Sequence, residues 1–187
     1  MDRRDFLKTG GGLAFCLVVD SSFSQDVKDK TINAWVRIAP DGTVTIYSAG
    51  AEMGQGSMNT LPLIVAEEMD ADWSKVKIEF APADAEVYGY TFPGNNAKMM
   101  SIVGSRAVQL YYTQLRIAGA QVRKVLVANA AQKWGADPAS LRTEPGFVVN
   151  GDQRLAYGEI AAFGTVPSPL PAVDVKELKD PKTFRLI

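Results

Sequence analysis

The chain has 187 residues, 47% of them hydrophobic and 22% charged, enough for one globular domain of ordinary composition with an appendage. Twenty Lys and Arg stand against twenty-one Asp and Glu, a formal charge of −1 with no basic block, which excludes nucleic acid as a partner. There is no histidine and a single cysteine, Cys16, so Ser-His-Asp machinery, an imidazole metal site, an internal disulfide and a self-contained iron–sulfur cluster are all excluded.

In chain order, the first element reads as an address. Arg3-Arg4-Asp5-Phe6-Leu7-Lys8, followed by Thr9, three glycines and an apolar run to Val19, resembles a twin-arginine export leader. The run falls short of the roughly 20 apolar residues that cross a bilayer as a helix. Leader and charged linker occupy residues 1–30. They imply export of an already folded protein to the periplasm, with membrane association only through a complex.

The body, residues 31–165, opens with alternating residues 32–38, a Pro40-Asp41-Gly42 turn and Val44-Thr45-Ile46-Tyr47, the pattern of a β-hairpin with one buried face. A glycine-rich loop, Gly50-Ala51-Glu52-Met53-Gly54-Gln55-Gly56, comes next. Leu61, Ile64, Val65, Glu68 and Met69 then recur at helical spacing and predict a helix of about four turns. Glu67, Glu68, Asp70 and Asp72 at its end read as a solvated helix terminus rather than a cation site. Residues 76–80 alternate as a strand, and residues 82–103 show no sustained period, predicting a loop of about 20 residues of the kind that is functional or lies against a partner.

Gly104-Ser105 opens the longest periodic segment. Val108, Tyr112, Leu115, Gly119, Val122, Leu126, Ala130 and Trp134 predict a helix of about 30 residues, roughly 45 Å long. Its Ala118-Gly119-Ala120 stretch is small enough for another element to approach closely. Two short strands around Asn150-Gly151 make a second hairpin, and residues 158–163 a short helix. Residues 166–187 contain several prolines and read as an extended arm with an apolar, uncapped end. The expected fold class is therefore α+β, with short mixed or antiparallel strands and two main helices. The long helix, the loop and the arm together predict an apolar surface for a partner.

Two glycine-led helix starts carry chemistry. In Gly54-Gln55-Gly56-Ser57-x-x-Thr60, glycines free backbone N–H groups, hydroxyls add donors, and the following helix contributes a positive dipole end, which suits a phosphate or pyrophosphate. The Gln55 amide can pair a heterocycle or an oxo group. Gly104-Ser105-Arg106 repeats the theme with an arginine to pair a phosphate oxygen. Each loop taken alone also reads as an ordinary helix cap. Neither is a Walker loop or a dinucleotide fingerprint.

Several motifs in order carry a resemblance: Val36-Arg37-Ile38 with Pro40-Asp41-Gly42, Glu52-Met53-Gly54-Gln55-Gly56, Ala66-Glu67-Glu68-Met69-Asp70, Gly104-Ser105-Arg106, Leu115-Arg116-x-Ala118-Gly119-Ala120, and Leu178-Lys179-Asp180-Pro181 to Phe184-Arg185-Leu186-Ile187. The chain resembles the N-terminal part of the large, molybdenum-binding subunit of the isoquinoline 1-oxidoreductase type, a branch of the xanthine dehydrogenase and aldehyde oxidase family. That resemblance implies a molybdopterin-binding-domain-like fold and a molybdenum hydroxylase that oxidises an aldehyde or N-heterocycle with water as oxygen source. It implies molybdopterin cytosine dinucleotide shared with a larger molybdenum-binding chain. Electrons would leave through a small subunit carrying two-iron two-sulfur clusters, and in some members onward to a cytochrome c. By resemblance Gly54, Gln55, Gly56 and Thr60 contact the pterin dinucleotide, and Gly104 and Ser105 form a second contact.

Two departures accompany it. Ile102-Val103 replaces the Thr-Gly that family members place before Gly104-Ser105. The family's general base, a glutamate, lies in a portion that this chain lacks, so no catalytic residue and no metal ligand is assigned here. The resulting expectation is a split or partial subunit that forms one wall of a cofactor site. Two alternatives stand beside it: a non-catalytic assembly subunit that has lost cofactor contacts, and an unrelated periplasmic nucleotide- or phosphate-binding module.

Overall fold

A computed structural model of the chain describes residues 30–92, 94 and 97–186, and the twin-arginine-like leader lies outside the described residues. The first sheet orders β1 (Lys30–Asn33), β2 (Val36–Ile38), β3 (Val44–Ser48) and β4 (Val76–Phe80) side by side. β1 to β3 pair antiparallel, whereas β4 joins β3 in parallel. A parallel neighbour needs a crossover. Helix α1 (Ser57–Met69) supplies it, so the glycine-rich loop lies where β3 turns into that crossover helix.

The expected hairpin is present, closed by Gly42 at φ 92 and by the Ala39 amide donating to the Thr43 carbonyl. Residues 32–38 are not one strand. The Asn33 side chain accepts from the Trp35 amide at 3.0 Å and donates to the Ala118 carbonyl at 3.0 Å, so the chain turns there and β1 folds back on β2.

Residues 82–103 also hold more structure than their lack of period suggests. Asp84 caps a short helix, α2 (Ala85–Tyr88), and β5 (Tyr90–Thr91) pairs antiparallel with β6 (Lys98–Met99). Tyr88 and Tyr111 meet Trp35, and Tyr90 meets Tyr111, in edge-on ring contacts at 5.0 to 6.3 Å. Burying these rings anchors the segment to the core in place of a periodic pattern.

The long helix, α3 (Ala107–Trp134), has 28 residues and ends at Gly135 in the left-handed conformation. It lies against α1, and their closest approach is at Gly119, where an added Cβ would sit 2.6 Å from the Val65 carbonyl oxygen. Val36, Ile38 and Ile46 from the sheet, Leu61, Val65 and Met69 from α1, and Tyr111, Leu115 and Leu126 from α3 form one core. A second antiparallel sheet, β7 (Arg142–Glu144), β8 (Phe147–Asn150) and β9 (Gln153–Ala156), turns at Gly151 with φ 58 and leads into α4 (Tyr157–Phe163).

The C-terminal residues keep extended backbone between two 3-10 turns, Val175–Glu177 and Pro181–Thr183. They are laid along α1 and α3, pinned by the polar contacts described below.

Candidate functional site

The first loop is built around an anion. The Gly54 and Gly56 amides donate to Glu52 Oε1 at 2.7 and 3.0 Å, and the Met58 amide to Oε2 at 3.0 Å. Gly54 and Gly56 hold φ of 97 and 83, and at either an added Cβ would meet open space, so conformation rather than crowding selects glycine. These amide bonds hold the Glu52 carboxyl below its ordinary value of 4.5, Gly56 contributing most. Sequence reasoning included Glu52 in the motif without giving it a role. The signal was present: an acid two and four residues before glycines at a helix start can satisfy the helix's free amides.

Gln55 is turned onto its own loop. Its Nε2 donates to the Ala51 carbonyl and to Ser57 Oγ, both at 2.6 Å, and its Oε1 accepts from the Met53 amide at 2.7 Å. The Thr60 hydroxyl donates to the Gly56 carbonyl at 2.9 Å. Both residues thus brace the loop while still facing the cavity described next.

The second loop precedes α3 rather than forming its first turn. Gly104 and Ser105 have φ of 71 and 57, outside the helical range, and Arg106 is the N-cap. The Arg106 guanidinium lies over the Phe92 ring at 5.3 Å. The fold brings the two loops together: Gln55, Ser57 and Thr60 from the first, and Ile102, Ser105 and Val108 from the second, line one cavity of about 270 Å³. Gly54, Gly56 and Gly104 shape the loops but do not line it. A larger groove of about 760 Å³ farther along α3, beside Lys124, Val127, Leu141 and Arg142, contains none of the residues singled out from the sequence.

The acidic run overturns the reading of a solvated helix end. Glu67 and Glu68 are 1% and 0% exposed, and Asp70 is buried as well. Glu67 Oε2 accepts from the Arg185 and Leu186 amides at 2.9 and 2.6 Å. Glu68 accepts from the Lys179 amide at 2.8 Å, Arg116 Nε at 2.9 Å and Arg123 Nη2 at 3.2 Å. Asp70 Oδ1 accepts from Lys179 Nζ at 2.6 Å and Arg185 Nη2 at 2.9 Å. The reason is pairing: a carboxylate stays charged out of water when cations and amides replace its hydration. The clue lay in the spacing, because Glu68 falls with Leu61, Ile64 and Val65 on the apolar face of α1.

A family model described as a molybdopterin cofactor-binding domain matches residues 2–180. The chain belongs to the molybdopterin cofactor-binding domain family. It is 40% identical over 141 residues, 74% of its length, to "Isoquinoline 1-oxidoreductase subunit beta" of Brevundimonas diminuta. It is 33% identical over 175 residues, 88% of its length, to "Membrane-bound aldehyde dehydrogenase [pyrroloquinoline-quinone]" of Gluconacetobacter polyoxogenes. The matches span 18% and 21% of those relatives, so the chain covers about a fifth of their length. In fold it is similar to the crystal structure of Cu,Mo-CO dehydrogenase, with a TM-score of 0.51 and 19% identity over 67% of this chain and 15% of that one. The loop chemistry fits the family's cofactor. A phosphate-bearing ligand needs convergent donors, and Gln55, Ser57, Thr60 and Ser105 bring an amide and three hydroxyls to one cavity, while the three loop amides are held by Glu52.

Proposed function

We propose that this chain supplies one wall of the cofactor site of a molybdenum hydroxylase. The enzyme would oxidise an aldehyde or N-heterocycle with water as the oxygen donor. The observation that carries the reading is the meeting of Gln55, Ser57 and Thr60 with Ser105 at one cavity, from loops separated in the chain by α1, β4 and the α2–β6 segment. In it the molybdopterin, as the cytosine dinucleotide, supplies the oxygen-transfer chemistry. This chain's residues bind and orient: Gln55, Ser57, Thr60 and Ser105 through the side chains that line the cavity, and Gly54 and Gly56 by shaping the loop whose amides Glu52 holds. A larger molybdenum-binding chain supplies the rest of the cavity and the base. A two-iron two-sulfur subunit carries electrons away, to a cytochrome c in some assemblies. The leader motif supports twin-arginine export and a periplasmic site of action.

Co-purification tests the proposal. The chain expressed with its larger molybdenum-binding partner should hold molybdenum and pterin in stoichiometric amounts, and Gln55→Ala should lower retention of both. A tight complex whose metal content is unchanged by Gln55→Ala and by Gly54→Val with Gly56→Val sinks it. That outcome favours a second reading, a non-catalytic assembly subunit, for which one observation speaks: Ile102 and the 76%-exposed Val103 occupy the second loop where the family resemblance calls for threonine and glycine.

A further inference from the structure

We propose that the C-terminal strap, residues 174–186, is a positioning element for the cofactor loops, holding α1 and α3 in the register that brings Gln55 and Ser105 to one cavity. The inference rests on the reading of that cavity as part of the cofactor site and concerns its control. Two motifs flagged in the sequence, Glu67-Glu68-Met69-Asp70 and the segment around Lys179 and Arg185, had no function, and the fold makes them partners.

The strap touches both loop-bearing helices, and it does so through polar anchors, because its own side chains are mostly exposed. On α1, the amides of Lys179, Arg185 and Leu186 donate to the Glu68 and Glu67 carboxylates. On α3, Arg116 donates to the Lys179 carbonyl and places its guanidinium over the Phe184 ring at 5.1 Å, while Lys124 pairs with Glu177 at 2.6 Å. Glu68 is shared, since Arg116 and Arg123 of α3 hold it from the other side. Among the described residues, the hydrogen bonds to the Glu67 carboxylate come from the strap: the Arg185 and Leu186 amides and Lys179 Nζ. With the strap detached, Glu67 is a buried charge without donors, and the last turn of α1 has to move toward water to satisfy it.

That movement reaches the site because α1 is a short rod, 13 residues with the cofactor loop at its start and the anchor at its end, about 20 Å apart. The pivot is at the anchor as well: Gly119 of α3 packs against Val65 and Glu68, with no room for a Cβ. A strap bonded to both helices therefore biases the spacing of the two loops at their starts.

The test uses the full chain with Cys16→Ser, carrying spin labels at Met53→Cys and Val103→Cys, exposed positions two residues from Gln55 and Ser105. The wild-type strap should give one narrow loop-to-loop distance. Lys179→Met should exchange the amide hydrogens of residues 179, 185 and 186 roughly tenfold faster or more, from the loss of charge-assisted bonds. It should also broaden the distance, and Lys179→Arg should restore it. If Lys179→Met fails to fold by circular dichroism, Glu177→Gln combined with Arg185→Ala loosens the strap from its more exposed side, these side chains being 45% and 41% exposed. Faster strap exchange with an unchanged distance overturns the proposal, and so does exchange that neither variant alters. The distance is read with no cofactor present, so its failure is separate from failure of the cofactor reading, which molybdenum and pterin content decide.

Discussion

Gly119→Ala tests how tightly the two loop-bearing helices are joined. Two effects of opposite sign compete. Gly119 is interior to α3, so alanine there should gain about 1 kcal/mol of helix propensity. Against this, the new Cβ would lie 2.6 Å from the Val65 carbonyl oxygen and 2.8 Å from Glu68 Cβ. A backbone oxygen cannot rotate away, and Glu68 is held by Arg116, Arg123 and the Lys179 amide, so neither neighbour gives cheaply. Overpacking of this kind costs roughly 1–3 kcal/mol, and two unyielding contacts argue for the upper half of that range. The net expectation is a loss of about 1–2 kcal/mol, combining the two magnitudes. A domain of this size should then melt roughly 2–8 °C lower. Urea denaturation read by circular dichroism measures it. Ala128→Gly, exposed on the same helix, isolates the propensity effect and should lose about 1 kcal/mol. A Gly119→Ala protein as stable as the parent, or more so, would refute the close-contact reasoning.

Other predictions address polar groups. The Tyr111 hydroxyl is buried without a hydrogen-bond partner among the described residues, and burial pushes its pKa up to about 12. Tyr111→Phe should leave stability unchanged or raise it by about 1 kcal/mol, because no bond is lost. Tyr157 differs: its hydroxyl donates to the Met69 carbonyl at 2.6 Å, and burial, with the Asp70 charge second, keeps its pKa well above the ordinary range. Tyr157→Phe should cost about 1–3 kcal/mol in the same urea assay. Glu68→Ala strands Arg116 in a buried position and should cost about 3–5 kcal/mol. For Glu52 the folded carboxyl lies below its ordinary 4.5, so its support of the loop is complete above that value and fades as pH falls through the lower folded one. Slow amide exchange at Gly54, Gly56 and Met58 should be lost over that acidic window, and Glu52→Gln should remove the pH dependence.

Much of the fold was legible because its signals are local. The Pro40-Asp41-Gly42 and Asn150-Gly151 turns, the period of α3 and the β4 alternation each depend on a few neighbouring residues, and all are present. The β1 turn was not legible, since Asn33 is held by a carbonyl 85 residues away on α3. The segment 82–103 hid its short elements for a related reason: Tyr88 and Tyr90 are placed by Trp35 and Tyr111, and two-residue strands carry no period. At the site, both glycine loops were visible, but their meeting at one cavity depends on how α1 packs on α3, which no motif encodes.

The acidic run of α1 shows what kind of information a linear reading lacks. Polarity predicts exposure only while the donors that compensate a buried charge are unknown, and here they arrive from residues 111 to 119 positions later in the chain. Glu68 nevertheless occupied a place in the apolar period, and Arg116 stood beside Ala118-Gly119-Ala120, the stretch predicted to admit another element closely. An acid on an apolar face and an arginine beside a close-approach glycine are complementary. Taken together they predict that the two helices meet through an ion pair. The strap then follows from unfilled valence: Arg116 donates once and Arg123 once to Glu68, which leaves Glu67 needing donors that neither helix provides. The proline-broken segment after α4 supplies them, through the Arg185 and Leu186 amides and Lys179 Nζ.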